Sequence, residues 1–301
     1  MNSFAKELQE FLEKRKIKYQ KNVPFGTLSY LKLGGVAAFA VYPENELDFC
    51  AALNYAFLKN IPIRVIGRMS NLLPPEGVFF GIVLSTSGLN RIAIKNDRVT
   101  AETGVFLPRL AKMLLSYGMS AFEELSGIPA SVGGAVYMNA GAYGREISDI
   151  LLSATVYDKK NGCLSVVDKP TLDFSYRKSA LSQKELYLFS ATFKCEIKTA
   201  KEVQEKTGEY AKRRRLSQPL AYPSLGSVFK KHGTVSAGYY IDTAGLKGFS
   251  VGDAAVSEKH ANFFINRGAA TREDYRRLIE TVKERVYDFH GITLVEEIEY
   301  F

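Results

Sequence analysis

Between Gly127 and Gly144 the chain reads GIPASVGGAVYMNAGAYG, eighteen residues with five glycines, four alanines and no charged side chain. Glycine loses more backbone freedom on ordering than any other residue, so such a stretch folds only where something offsets that loss. The offset open to it is close approach. With no Cβ in the way, backbone amides can come up against a flat or anionic ligand, such as a nucleotide pyrophosphate or a cofactor ring. A tight turn and a bulged strand would account for a lone Gly-Gly. Five glycines with Ser131 and Asn139 between them, and no proline after Pro129, read instead as a ligand-wrapping loop.

At 301 residues there is chain enough for two or three domains with cores of their own. The three cysteines, Cys50, Cys163 and Cys195, are widely spaced and form no CxxC pair. That argues against a disulfide framework or a zinc site and suits a reducing cytosol, so a cytoplasmic protein without metal is expected. The first twenty residues are charged throughout, unlike a signal peptide, and place Phe4, Leu8, Phe11 and Leu12 on one helical face. No apolar run is long enough to span a bilayer. The net charge of +8 suits nucleic acid, a membrane surface or small polyanions such as dinucleotides and sugar nucleotides. Much of it sits in Lys212-Arg213-Arg214-Arg215, which lacks the interleaved aromatics of a nucleic-acid face apart from Tyr210 and reads equally as a solvated helix face.

The pattern is that of an α+β chain in three parts, 1–75, 76–198 and 199–301. A β-α-β-loop unit occupies roughly 35–75: a strand over Ala37–Tyr42, a helix entered through Pro43–Glu46 and running through Leu58, and a buried strand at Pro62–Ile66. Short strands follow at Gly81–Leu84, Arg91–Lys95, Arg98–Thr103, Ser153–Tyr157, Cys163–Val167 and Leu186–Phe193, in a mostly antiparallel sheet. They include hairpin turns at Lys95–Asp97 and Lys159–Gly162, and are interrupted by a helix over Leu107–Tyr117 that stops at Gly118. The last part reads as a helix over Ala200–Leu216, strands near Ala254–Val256 and Asn262–Asn266, a helix over Arg272–His290 and a closing strand over Leu294–Tyr300.

Gly67-Arg68-Met69-Ser70-Asn71 closes a buried strand, where α/β folds place phosphate-binding turns. Alone it is a simple turn. Paired with Gly127–Gly144 it becomes the second of two amide-rich loops able to hold a dinucleotide. The chain has neither a Rossmann G-x-G-x-x-G nor a P-loop. Its three histidines, His232, His260 and His290, all lie in the last third, which excludes a histidyl-linked flavin in the N-terminal half. Ser227, next to Gly226, carries an accessible hydroxyl beside Lys230. Tyr176-Arg177-Lys178-Ser179 could clamp an anion. Strand alternation puts Glu296 and Glu297 on opposite faces, so only one points inward.

Taken together, these segments resemble the UDP-N-acetylenolpyruvoylglucosamine reductase family of flavoenzymes. The resemblance runs from about Asn22 to Ile298. It is carried by the Gly67–Asn71 loop, Gly127–Gly144 with Glu146, Phe174–Ser179, Pro223–Lys230, Ile241–Gly248, His260–Asn266 and Leu294–Ile298 in that order and spacing. No room exists between Arg177 and Ser227 for a long insertion, so the chain is similar to the shorter subclass without a tyrosine-bearing capping loop.

That resemblance implies a two-lobed FAD-binding region of the vanillyl-alcohol-oxidase/PCMH type and a C-terminal α/β substrate-binding domain. It implies NADPH-dependent, FAD-mediated reduction of an enolpyruvyl ether on UDP-N-acetylglucosamine to UDP-N-acetylmuramate, by hydride delivery to the vinyl carbon. By motif match, Arg177 and Glu297 would stabilise the carboxylate end of an enolate-like intermediate and Ser227 would protonate it. Glu297, chosen over Glu296 because it directly precedes the β-branched Ile298, would have to carry a proton to help rather than repel. Non-covalent FAD would lie near Gly67, Ser70, Asn71, Gly127, Ser131, Gly133, Gly134 and Asn139. Tyr176, Arg215, Lys230 and His260 are implied contacts of the sugar nucleotide. A monomer is expected.

Met69, Lys231-His232 and Val295 depart from the family pattern, where a second glycine, Asn-Pro and an extra glutamate are usual; the first bears on FAD affinity. Two other readings remain to be separated from this one. Another FAD-dependent oxidase or dehydrogenase on the same fold would keep the loops and lose the Arg177, Ser227 and Glu297 constellation. A basic nucleic-acid-binding module would be colourless and bind with steep salt dependence.

Overall fold

The computed structural model describes residues 2–301, with side chains from Ala5 onward, so Phe4 lies outside the described side chains. The chain divides into two compact units. One comprises Met1–Val23, Ala37–Arg68 and Phe80–Ala211; the other comprises Pro24–Val36, Met69–Phe79 and Lys212–Phe301. Among the described residues, no helix is long and apolar enough to cross a membrane.

In the first unit the helix Asn2–Arg15 buries Leu8 and Leu12 with Phe11 packed beside them, as their helical spacing predicts. The helix Glu46–Leu58 starts at Asn45, whose side chain accepts the Asp48 N–H at 3.0 Å, with Glu46 and Asp48 in the dipole-favoured first turn. The strands on either side of it, Val36–Tyr42 and Ile63–Ile66, are not neighbours. Val78–Ser85 lies between them, parallel to Ile63–Ile66 in the register Ile63↔Ile82 to Ile66↔Ser85. This corrects the assignment of Gly81–Leu84 to the later antiparallel strands. The physical reason is its burial: Gly81 to Ser85 are all buried, as suits a central strand covered on both faces.

The larger sheet is antiparallel throughout, in the order Cys163–Asp168, Leu151–Asp158, Leu186–Lys194, Arg98–Glu102, Ile92–Lys95. Both expected hairpin turns are present, between Lys95 and Arg98 and between Asp158 and Cys163. The helix Leu107–Ser116 buries Leu107, Leu110, Ala111 and Leu114 in the core of this sheet.

The second unit is built on a four-stranded antiparallel sheet, in the order Ser224–Ser227, Phe263–Asn266, Ala254–Val256, Ser250–Val251. The helix Arg272–His290, opened by a Thr271/Asp274 capping box, buries Tyr275, Leu278, Ile279, Val282 and Val286 in the same core. Early residues complete this unit: Asn266 Nδ2 donates to Leu31 O at 3.0 Å, and the Phe25 and Phe301 rings meet at 4.9 Å. The closing strand is shorter than expected. Regular pairing is confined to Glu299–Tyr300, parallel to Leu72–Leu73. Residues 294–298 instead run beside 228–230, through Glu297 N–H to Val228 O at 2.7 Å and Lys230 N–H to Val295 O at 2.8 Å.

Candidate active site

The loop that follows Ile63–Ile66 has an unusual backbone. Among the described residues, the N–H groups of Gly67, Arg68, Met69, Ser70 and Asn71 donate to no protein acceptor. A backbone amide is an obligatory donor, so five in succession without an internal partner fit an anionic ligand such as a pyrophosphate. Met69 takes φ +48°, a left-handed conformation that glycine adopts without a Cβ penalty. For a non-glycine residue this costs about 1 kcal/mol. Burial of the Met69 side chain, 4% exposed, returns roughly 2 kcal/mol and outweighs it. Gly67 is held against the glycine-rich segment: a Cβ there would lie 2.1 Å from Ser131 Oγ.

The glycine-rich segment itself is less open than expected. Its middle is a helix, Val132–Tyr137, capped by Ser131 Oγ on the Gly134 N–H at 3.2 Å. The Val132 and Gly133 N–H groups are bonded to Val105 O and Thr103 O, both at 2.8 Å. The amides of 132–134 are therefore used within the protein, so this part of the segment is a capped helix where a ligand-wrapping loop was expected. Gly133 is required by packing, since a Cβ on it would meet Thr103 Oγ1 at 2.0 Å. Thr103 gave no signal in the sequence. Gly134 has room, with Ser131 Oγ at 3.6 Å as the near contact, and Gly127 is half-buried.

Arg177 is not a surface arginine: its side chain is 15% exposed. It is the second residue of a two-residue turn closed by reciprocal Ser175 and Lys178 backbone bonds of 3.1 Å, and takes φ +57°. Strained backbone of this kind concentrates at functional sites. The guanidinium lies 4.8 Å from the centre of the half-exposed Tyr176 ring. It donates to Gly141 O at 3.2 Å, and to Asn139 O and Glu146 Oε1 at 3.4 Å each. Asn139, 1% exposed, donates through Nδ2 to Glu146 Oε2 at 2.8 Å and Ser175 O at 3.1 Å, and accepts the Ser148 N–H at 3.0 Å. Its side-chain amide is thus committed to holding this network. The first unit therefore brings Gly67, Ser131, Gly133, Gly134, Asn139, Tyr176 and Arg177 together around two linked clusters. The part played by Glu146 was legible only as a member of the motif.

The second unit holds Ser70, Asn71, Arg215, Ser227, Lys230, His260 and Glu297. Ser227 ends a strand that slips register against Phe263–Ile265, just after Gly226 at φ +76°. Its hydroxyl is half-buried and makes no hydrogen bond among the described residues. Val228 O accepts the Glu297 N–H, and Asn71 Nδ2 donates to Glu297 O at 3.0 Å, so Ser227, Glu297 and the Asn71 loop adjoin. Glu296, by contrast, is engaged by Lys283 at 2.9 Å and Tyr300 at 2.6 Å. Asn262 clamps the strand after Ser227, accepting the Phe229 N–H at 3.0 Å and donating to Phe229 O at 2.8 Å. Lys231-His232 opens a small hairpin, with reciprocal His232 and Val235 bonds of 3.0 and 3.1 Å. Arg215 is exposed and near the sequence position of no other candidate, but its carbonyl accepts from Lys259 Nζ, next to His260.

His260 accepts the Asn262 N–H on Nδ1 at 3.3 Å, and burial, aided by Lys247, holds its pKa below the ordinary value of 6.5. At pH 7 its imidazole is therefore neutral, with Nε2–H left as a donor. A histidine depressed in the folded state adds stability above its unfolded pKa and loses that contribution as pH falls through the folded one. Proton NMR titration should show His260 charging below pH 6.5; charging above it would contradict the buried, accepting imidazole.

Residues 37–167 match an FAD binding domain, and residues 218–301 match the C-terminal domain of UDP-N-acetylenolpyruvoylglucosamine reductase. The reductase of that name from Streptococcus pneumoniae (strain 70585) is 38% identical over 296 residues, covering 98% of this chain and 97% of its own. That from Caldicellulosiruptor saccharolyticus is 38% identical over 291 residues, covering 96% and 94%. The crystal structure of the Thermus caldophilus UDP-N-acetylenolpyruvylglucosamine reductase matches with a TM-score of 0.83 and 31% identity, over 95% of this chain and 99% of that one. Similarity that spans the FAD-binding part, the C-terminal part and nearly every residue of both partners means that the chain belongs to the UDP-N-acetylenolpyruvoylglucosamine reductase family.

Proposed function

We infer that the protein reduces the enolpyruvyl ether of UDP-N-acetylglucosamine to the lactyl ether, giving UDP-N-acetylmuramate for peptidoglycan synthesis. FAD is its cofactor and NADPH its hydride donor. The observation that carries this reading is 38% identity to a reductase of that name along 98% of the chain. The five unpartnered amides of Gly67–Asn71 fit the FAD pyrophosphate, and Gly127, Ser131, Gly133, Gly134 and Asn139 are proposed to serve the same cofactor. When bound, the flavin supplies hydride transfer from NADPH to the substrate's vinyl carbon.

The chain's own residues would do the rest. Arg177 binds the substrate carboxylate, where its planar fork matches two oxygens and its fixed charge meets the charge that develops there. Glu297 is proposed to support the enolate that forms. Ser227 delivers a proton to the adjacent carbon, and its unpartnered hydroxyl supports that role. Tyr176, Arg215, Lys230 and the neutral donor of His260 contact the sugar nucleotide. Functionally, 1–75 and 76–198 serve the flavin and 199–301 the substrate. The protein works as a cytoplasmic monomer without nucleic acid, membrane or metal, and its charge of +8 favours both anionic substrates.

The test has two parts. Purified protein should show flavin absorption at roughly 370 and 450 nm, released on denaturation as expected of a non-covalent cofactor. NADPH oxidation should then depend on the enolpyruvyl sugar nucleotide. A protein that stays colourless with added FAD, or one that instead oxidises alcohols or hydroxy acids, would overturn the reading.

A further inference from the structure

We propose that Glu146 is a positioning residue for Arg177, fixing the guanidinium in the orientation from which it meets the substrate carboxylate. The proposal rests on the assignment of Arg177 made above. The turn at Tyr176-Arg177 sets where the Arg177 backbone lies, but a long side chain on a fixed Cα still carries about 2 kcal/mol of rotamer entropy. Something must hold its far end. Three of its contacts come from the Asn139–Glu146 stretch: the neutral carbonyls Asn139 O and Gly141 O, and the charged Glu146 carboxylate. A charge-assisted contact is favoured over a neutral one at equal distance, so the carboxylate biases which way the fork faces.

Glu146 is itself fixed. One carboxylate oxygen takes the Asn139 amide at 2.8 Å, and that amide is anchored to Ser175 O and the Ser148 N–H. The Glu146 N–H donates to Asp149 Oδ2 at 2.8 Å, which fastens the backbone below it. A second, independent observation comes from Gly141. A Cβ there would lie 2.9 Å from Glu146 Cγ and 3.0 Å from Arg177 Nη1, so the glycine is what allows carboxylate and guanidinium to lie side by side. The contact to Arg177, at 3.4 Å, is long for a charged pair and orients the group without enclosing it.

The experiment compares Glu146→Gln, Arg177→Ala and the double variant, reading kcat, KM, flavin reduction by NADPH and the thermal midpoint. Glu146→Gln should lower kcat roughly 100-fold, the scale on which misplacing a catalytic group acts, with KM and flavin reduction little changed. The double variant should be no slower than Arg177→Ala, because Glu146 acts only through that residue. Where Glu146→Gln does not fold, Glu146→Asp keeps the charge on a shorter arm and should lose about tenfold with the same coupling. A Glu146 variant with unchanged kcat beside a slow Arg177→Ala, or losses that simply multiply, refutes the positioning role alone. An Arg177→Ala enzyme of undiminished kcat refutes the Arg177 assignment and this proposal with it.

Discussion

Replacing Ser227 by alanine is expected to leave flavin reduction by NADPH intact while lowering turnover by about three orders of magnitude, or about 4 kcal/mol of barrier. On the role proposed for Ser227 the two half-reactions should separate, because the serine would act only after hydride has reached the substrate. Its removal should disturb the fold little: the hydroxyl makes no hydrogen bond among the described residues, so no buried partner is orphaned. The strand around it is held by Asn262 and by the Glu297 N–H to Val228 O, neither of which involves the side chain at 227. Rapid mixing with NADPH alone, and then with the enolpyruvyl sugar nucleotide, measures both steps. Turnover at the parental rate would remove Ser227 from the chemistry.

The second large effect separates two adjacent glycines. Both Gly133 and Gly134 lie in the helix Val132–Tyr137, where alanine is favoured over glycine by about 1 kcal/mol. Propensity alone predicts that either substitution stabilises. At Gly133 the steric term wins, because the new Cβ would sit 2.0 Å from Thr103 Oγ1 and 3.1 Å from Thr103 O. Overpacking of this kind costs roughly 3 kcal/mol, so Gly133→Ala should melt well below the parent and purify with little flavin. Thr103→Ala in the same chain should restore part of the loss by removing the nearer atom. Gly134→Ala meets Ser131 Oγ only at 3.6 Å and should keep its thermal midpoint. A stable Gly134→Ala protein that no longer retains flavin would mark Gly134 as a wall of the cofactor site. Equal stability of the two variants would show that Thr103 does not dictate the glycine.

Local rules were readable where they depend on neighbours in the chain. The helix over Arg272–His290, the helix entered through Pro43–Glu46 and the two hairpin turns follow from local spacing. What escaped depends on partners far along the chain. Val78–Ser85 has the apolar run of any buried strand, and nothing in it says that it inserts beside Ile63–Ile66. The extension of Leu294–Tyr300 was overstated for a related reason: 294–298 satisfies its backbone against 228–230, which lies some seventy residues earlier. At the site, the cause given for the glycine-rich segment was incomplete. Gly133 and Gly141 answer to Thr103, Glu146 and Arg177. The loop that keeps its amides open is the plainer Gly67–Asn71, which the sequence marks only when it is paired with the glycine-rich segment.

Neither unit is a continuous stretch of chain, and the path crosses from one to the other five times. On the ribosome this imposes an order of events. Leu31 emerges early, yet the side chain that bonds its carbonyl, Asn266, is 235 residues away, which is roughly ten to fifty seconds of synthesis at ~5–20 residues per second. Phe25 waits longer still for the ring of Phe301. The second unit therefore matures only after its residues up to Phe301 have been translated, and no single cut in the gene yields either unit as a transferable cassette.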